Sequence, residues 1–357
     1  MSSAPTDPAL KSPKRLFYAD LCRVLAMAAV VVLHVGARGI LTYEPLKSAG
    51  WWTSNLFEAA TRWCVPVFVM LSGALLLDPS KSEPLWTFYR KRLSRIGIPL
   101  VFWSAFFLAW QWLYHGEAPT AVRIARRLIA GTTYYHLHFM YVIAGLYVVA
   151  PMLRVFVRHA DRTTQALAVA IALACACAAT MIGVIYPATP SMFTRFVPYI
   201  GYFLAGACLR DIALSRRGLL AAVAASVGAM ATTFVGTGIL VGTFGIEDPR
   251  ALALDYFLSP TSVVLSLAVF LLIRGLGQER GPATRAQGIT VRWLAPATLG
   301  MYLVHPVFLE LYENAGLVLW PSLAPVGLVV ASVAVFASSL LATLVLQRIP
   351  IVRYIVG

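Results

Sequence analysis

The sequence predicts an all-α, polytopic membrane protein with about ten transmembrane helices, and three observations carry that prediction. Hydrophobic residues make up 59% of the 357-residue chain and charged residues only 12%, against about half and about a quarter in soluble domains. Mean hydropathy is +0.76. Apolar stretches long enough to cross ~30 Å of hydrocarbon, about twenty helical residues each, recur along the whole chain.

Residues 1–16 read as a polar cytoplasmic tail containing Lys11, Lys14 and Arg15. The apolar run that follows holds Asp20, Arg23 and His34 and is too long and too polar for a cleaved signal peptide, so it reads as an uncleaved first span. Spans are expected near 17–37, 54–77, 93–114, 135–153, 164–185, 196–212, 217–240, 255–274, 294–316 and 324–346, in one transmembrane domain over 17–346 with a second cytoplasmic tail at 347–357. Of the 29 Lys and Arg residues, 20 fall in one alternate set of connections and seven in the other, with Arg23 and Arg62 inside spans. Basic residues favour cytoplasmic loops, so both termini are expected inside. The segment APTAVRIARRLIAG, on the outer side, has the spacing of an amphipathic helix in the membrane interface.

The net charge of +14 is absorbed by this topology, and no nucleic-acid partner is expected. Cys22, Cys64, Cys175, Cys177 and Cys208 lie in or beside apolar runs without metal-ligand spacing, so neither a disulfide framework nor a metal site is expected. The chain lacks a phosphate-binding GxxxxGK[ST] loop, a HExxH helix and a GxSxG elbow.

Ionisable residues within spans are costly and mark candidate sites. Arg23 and His34 are eleven residues apart, about 20° from exact alignment on one helix face and roughly 16 Å apart along the axis; Asp20, one turn before Arg23, can pair with it. Read separately, Arg23 snorkels to headgroups and His34 bonds a carbonyl; on one face they form the wall of a polar path. Glu58 falls at the depth of His34, where it can orient the imidazole, or it forms an internal ion pair with Arg62. Ser72 and Gly73 allow close helix approach, with Ser72 packing rather than acting as nucleophile. Arg92 and Arg95, in FYRKRLSRIGIP, lie one turn apart and suit a phosphate-bearing ligand. Tyr302 and His305 are one turn apart before Pro306, which is expected to kink the helix; a Tyr/His pair satisfied by local carbonyls is the alternative. His136 and His138, two residues apart, point to different sides of a helix and read as interfacial anchors beside Tyr134 and Tyr135.

The segments RLFYADLCRVLAMAAVVVLHV, VPVFVMLSGALLL, FYRKRLSRIGIPLVFW, HLHFMYVIAGLYVVAPMLR, YIGYFLAGACLR and LGMYLVHPVF resemble, in order, the signature segments of the membrane acyltransferase-3 family, over nearly all of the chain. The likeness is to short members without a fused esterase-like domain, such as O-acetyltransferases of surface polysaccharide. It implies a ten-helix enzyme of the bacterial inner membrane. Such an enzyme takes an acyl group, usually acetyl, from cytoplasmic acyl-CoA (acetyl-CoA as donor substrate, with no bound cofactor) and delivers it to a hydroxyl of a periplasmic or lipid-linked glycan. In that resemblance His34 matches the essential first-helix histidine, Arg23 its partner arginine, Arg92 and Arg95 the RxxR pair, and Tyr302 and His305 the YLxHP segment. His138 departs from it, standing where many relatives carry Trp. Acyl-CoA, a glycan and membrane lipids are the expected partners. A secondary transporter or a flippase-like component of glycan export is the alternative; the inverted repeat that would favour a transporter is not found.

Overall fold

The computed structural model describes residues 13–81, 83–118, 120–187, 190–279, 285–317 and 324–357; residues 1–12 of the expected N-terminal tail lie outside the described residues. Helices account for all of the regular structure among them. The first span is one helix, α1 (Pro13–Thr42). The second is broken into α2 (Ala49–Thr61) and α3 (Cys64–Leu76). Ser48 caps α2 by accepting a hydrogen bond from the Trp51 N–H at 3.1 Å, and the break after Thr61 follows from Pro66, which has no N–H for the Arg62 carbonyl four residues earlier. The third span runs through α4 (Leu85–Arg92), a π-helical turn at Leu93–Gly97 and α5 (Ile98–His115). Arg92 and Arg95 therefore flank and occupy a widened turn, a feature frequent at functional sites.

After α6 (Ala121–Ala130), an amphipathic helix with no buried residue, come α7 (His138–His159), α8 (Arg162–Ile185), α9 (Ile200–Leu209), α10 (Arg216–Phe244), α11 (Pro260–Glu279), α12 (Arg285–Leu294), α13 (Thr298–Asn314), α14 (Ala324–Gln347) and α15 (Arg353–Val356). Nine helical segments among the described residues are long and apolar enough to cross a membrane, and the chain is a multi-pass membrane protein. The sixth expected span, near 196–212, is shorter than expected: its apolar helix covers only Val197–Leu209, about 20 Å at 1.5 Å per residue. The chain around it still passes from end to end, because the Met192 N–H donates to the Ile129 carbonyl beside α6 while Arg210 pairs with Asp78 beyond α3 at 3.2 Å. A short helix suffices there because Gly201 to Ala207 are buried in protein rather than facing lipid.

Glycines set the closest crossings. A Cβ on Gly73 would lie 1.8 Å from the Phe203 carbonyl oxygen, and one on Gly206 would lie 1.8 Å from that of Met70, so α3 and α9 meet backbone to backbone. Gly73 thus makes the close approach expected of the Ser72–Gly73 pair. A Cβ on Gly39 would fall 2.0 Å from Ser54 Oγ, which seats α2 against α1. The last carbonyls of α3 are covered from other elements: Lys81 donates to Leu75 at 2.7 Å and Arg154 to Leu76 at 2.8 Å. The C-terminal segment 347–357 packs back on the bundle, with Val356 fully buried and Trp103 Nε1 donating to the Ile355 carbonyl at 2.8 Å.

Gly73→Val or Gly206→Val is expected to destabilise the fold by at least about 1–3 kcal/mol through overpacking, whereas Gly228→Ala, which meets nothing within 4 Å, is expected to be neutral. Melting temperature and the monodisperse fraction in detergent check this; a stable Gly73→Val protein would contradict the crossing.

Candidate active site

A cavity of about 640 Å³ opens at the end of the bundle that carries the N-terminal part of α1 and the end of α15. Asp20, Arg23, Ser72, Arg92, Arg95 and Tyr302 all line it, so six of the residues singled out from the sequence come together there from α1, α3, the α4–α5 turn and α13. Its side chains include four cations, Arg23, Lys91, Arg92 and Arg95, against one carboxylate, Asp20. Phe68, Leu71, Phe139, Met140 and Ile143 give it an apolar wall.

The Arg23 guanidinium donates to Asp20 at 2.5 Å, the pairing that the spacing suggests. Arg92 lies 4.4 Å from the Phe88 ring centroid and 3.8 Å from Glu83. Lys91 also bonds Glu83, and that hydrogen bond holds the Glu83 carboxyl below its ordinary range. Arg95 is exposed at the mouth. Ser72 turns toward the cavity.

At the deep end, the Tyr302 hydroxyl donates to the His136 carbonyl. Pro306 sits inside α13, which continues from Thr298 to Asn314; lacking an N–H, it leaves the Tyr302 carbonyl without its backbone donor. His305 Nδ1 occupies that carbonyl at 2.7 Å. A carbonyl only accepts, so Nδ1 carries the proton and Nε2 presents a lone pair; Nε2 is buried and has no hydrogen-bond partner. The His34 ring stacks on His305 with centroids 5.1 Å apart at 23°, and Tyr135 meets His34 edge-on at 5.1 Å.

Two sequence expectations change here. Glu58 does lie beside this level, since a Cβ on Gly36 would sit 3.6 Å from its backbone nitrogen, but its buried carboxylate contacts Arg62. Among the described residues no carboxylate is within ion-pair distance of His34, so the direct Glu58–His34 contact is replaced by the internal pair that the i,i+4 spacing also allowed. His136 is not an interfacial anchor: it is 1% exposed, both ring nitrogens are buried without partners, and it packs edge-on against His305 at 5.4 Å. His138 is half-buried, with Nδ1 2.7 Å from the Tyr135 carbonyl.

Glu310, which the sequence places after His305 toward the outer end of its span, was given no role by sequence reasoning. Its buried carboxylate accepts from Trp110 Nε1 at 2.8 Å, from Arg38 at 3.4 Å and from the Tyr134 hydroxyl, and His115 Nε2 lies 3.1 Å away. These partners come from α1, α5 and the segment before α7, so no local spacing reveals them.

A polar track thus runs from a basic cavity through Tyr302 and His305 to His34. The acyltransferase-3 family model, described as an acyltransferase domain, matches residues 16–347. The chain belongs to this family. No curated protein and no solved structure matches it. This membrane acyltransferase has a basic cavity at one end of the bundle, and Tyr302 in its wall adjoins the oriented His305 imidazole.

In 15N-labelled protein, His305 is expected to show a protonated Nδ1 and an unprotonated Nε2. Pro306→Ala restores a backbone donor to the Tyr302 carbonyl and is expected to weaken that tautomer preference; an unchanged His305 spectrum would remove the proline's role.

Proposed function

We propose that this acyltransferase moves an acyl group, acetyl in the first instance, from cytoplasmic acyl-CoA to a hydroxyl of a cell-surface or lipid-linked glycan at the bacterial inner membrane. The observation that supports it most is the basic cavity lined by Tyr302, whose ring adjoins His305, which in turn stacks on His34. The nucleotide and phosphates of coenzyme A cannot enter hydrocarbon without a large desolvation cost. They suit the mouth, where Arg92 and Arg95 offer guanidinium groups, while pantetheine lies along the apolar wall past Arg23. Arg23 and His34 are separated by a helical rise of roughly 16 Å, a distance an extended pantetheine spans.

Acyl transfer to a hydroxyl needs a base that is neutral near physiological pH, and imidazole is one. In this reading His34 takes the hydroxyl proton as the oxygen attacks the thioester carbonyl; the C–S bond breaks, and the proton passes to the departing sulfur. His305, with its proton on Nδ1 and a lone pair on Nε2, is placed to share that proton while it is in transit. Arg23 keeps the donor's path polar, Asp20 holds Arg23, and Ser72 and Tyr302 contribute hydroxyls to the cavity wall. Glu58 acts at one remove, as a positioning residue that holds Arg62.

Transfer of labelled acetyl from acetyl-CoA into glycan by inside-out membrane vesicles tests the proposal. His34→Ala is expected to lose at least about 10²-fold in rate, the scale of a general base, with folded protein retained; near-native turnover would sink the assignment and reopen the transporter reading. Arg92→Ala with Arg95→Ala is expected to weaken acetyl-CoA binding about tenfold or more, and unchanged affinity would move the donor site elsewhere. Glu58→Gln is expected to slow turnover and displace its pH profile, and an unaltered profile would leave Glu58 a purely structural partner of Arg62.

A further inference from the structure

A second cavity, of about 470 Å³, lies at the opposite end of the histidine layer, lined in part by Arg38, Gln111, His115, Tyr134, Tyr135 and Glu310. Its volume falls within the ~300–1,000 Å³ of small-molecule sites. Tyr135 is shared between this cavity and His34, which it meets edge-on at 5.1 Å, and Arg38 stands one turn beyond His34 on α1. Tyr135 thus joins this cavity to the His34 imidazole, on the side away from His305 and the basic cavity.

We infer that this cavity is the acceptor site and that it takes an uncharged, hydroxyl-rich ring in preference to an acidic or phosphorylated one; the inference rests on the acyl-transfer reading above. Charge balance is the first argument. The lining holds two arginines, Arg38 and Arg127, and two glutamates, Glu117 and Glu310, which sum to zero, whereas the donor cavity carries four cations against one carboxylate. Each arginine already has a carboxylate partner: Arg127 donates to Glu117 at 2.8 Å, and Arg38 is 3.4 Å from both Glu310 and Glu313. An anionic substituent would have to displace one of these partners, and Glu310, 3% exposed and surrounded by donors from three elements, has no other place for its charge.

Hydrogen-bonding capacity is the second argument. Gln111 Nε2 donates to the Thr133 carbonyl at 2.9 Å, which fixes its amide, with the oxygen available to accept. The Glu310 carboxylate is already occupied by Arg38, Tyr134, Trp110 and His115, and it holds these groups in place around the cavity. Tyr135, 38% exposed with the Arg38 guanidinium 5.5 Å from its ring centroid, adds an aromatic side chain to the lining. An acceptor, donors and an aromatic side chain without net charge suit a neutral polyol.

The test is titration of the full-length protein in nanodiscs with a panel of neutral methyl hexosides and the matching methyl hexuronosides, followed calorimetrically, with acetyl-CoA titrated into the same preparation. At least one neutral hexoside is expected to bind about tenfold or more tightly than its uronoside, the scale of leaving a buried charged group unpaired. Glu310→Gln and Tyr135→Ala are each expected to weaken that binding about fivefold or more, with acetyl-CoA affinity unchanged. Tyr135→Ala alters an exposed side chain and keeps the test decisive should Glu310→Gln fail to fold. Preference for a uronoside, binding of neither class, or native affinity in both variants would each overturn the inference. Failure of the native protein to bind acetyl-CoA would instead strike the acyl-transfer reading, leaving the sugar titrations separately interpretable.

Discussion

An ionisable side chain inside an apolar bundle must be paired or hydrogen-bonded, because hydrocarbon offers nothing in place of water, and the core of this protein is arranged around that requirement. Asp20 holds Arg23, Glu58 holds Arg62, and Glu310 gathers donors from three elements. Each pairing fixes a helix relative to itself or to its neighbours. The nitrogens of His136 and the Nε2 of His305 are among the buried polar atoms without a hydrogen-bond partner in the described residues, and they adjoin His34 directly or through one ring.

Backbone irregularity falls where the polar residues are. Pro66, Pro99, Pro151 and Pro306 deprive the carbonyls of Arg62, Arg95, Tyr147 and Tyr302 of their usual helical donors. Arg95, Tyr147 and Tyr302 line the basic cavity, and Arg62 partners Glu58. Only the Tyr302 carbonyl receives a histidine in compensation, and that substitution orients His305. In a membrane such freed backbone is tolerated where it faces protein or a cavity rather than lipid. The glycine crossings do the complementary work: Gly73 with Gly206 and Gly39 with Ser54 draw helices into backbone contact, which brings the walls of the cavity close enough to share it.

The two cavities differ in charge and in the character of their walls. One end offers excess positive charge and an apolar channel; the other offers balanced charge and aromatic side chains. The histidine layer between them is thin: His34 touches Tyr135 on one side and His305 on the other, and Tyr302 carries the contact into the basic cavity.

The sequence by itself determined the fold class, most of the spans, the Asp20–Arg23 pair and the i,i+3 spacing of Arg92 with Arg95 and of Tyr302 with His305. These depend on the apolar content of twenty-residue windows and on the 3.6-residue helical period, both of which are local. Only the tertiary structure decided that the sixth apolar helix is short, that Glu58 turns to Arg62 instead of His34, that His136 is buried, and that Glu310 is met by Arg38, Trp110, His115 and Tyr134. Partners separated by as many as 272 residues are joined by which helix face meets which, and hydropathy is nearly uniform around helices buried on most sides. The amino-acid pattern therefore gives each helix its polar residues, while packing chooses which of them meet.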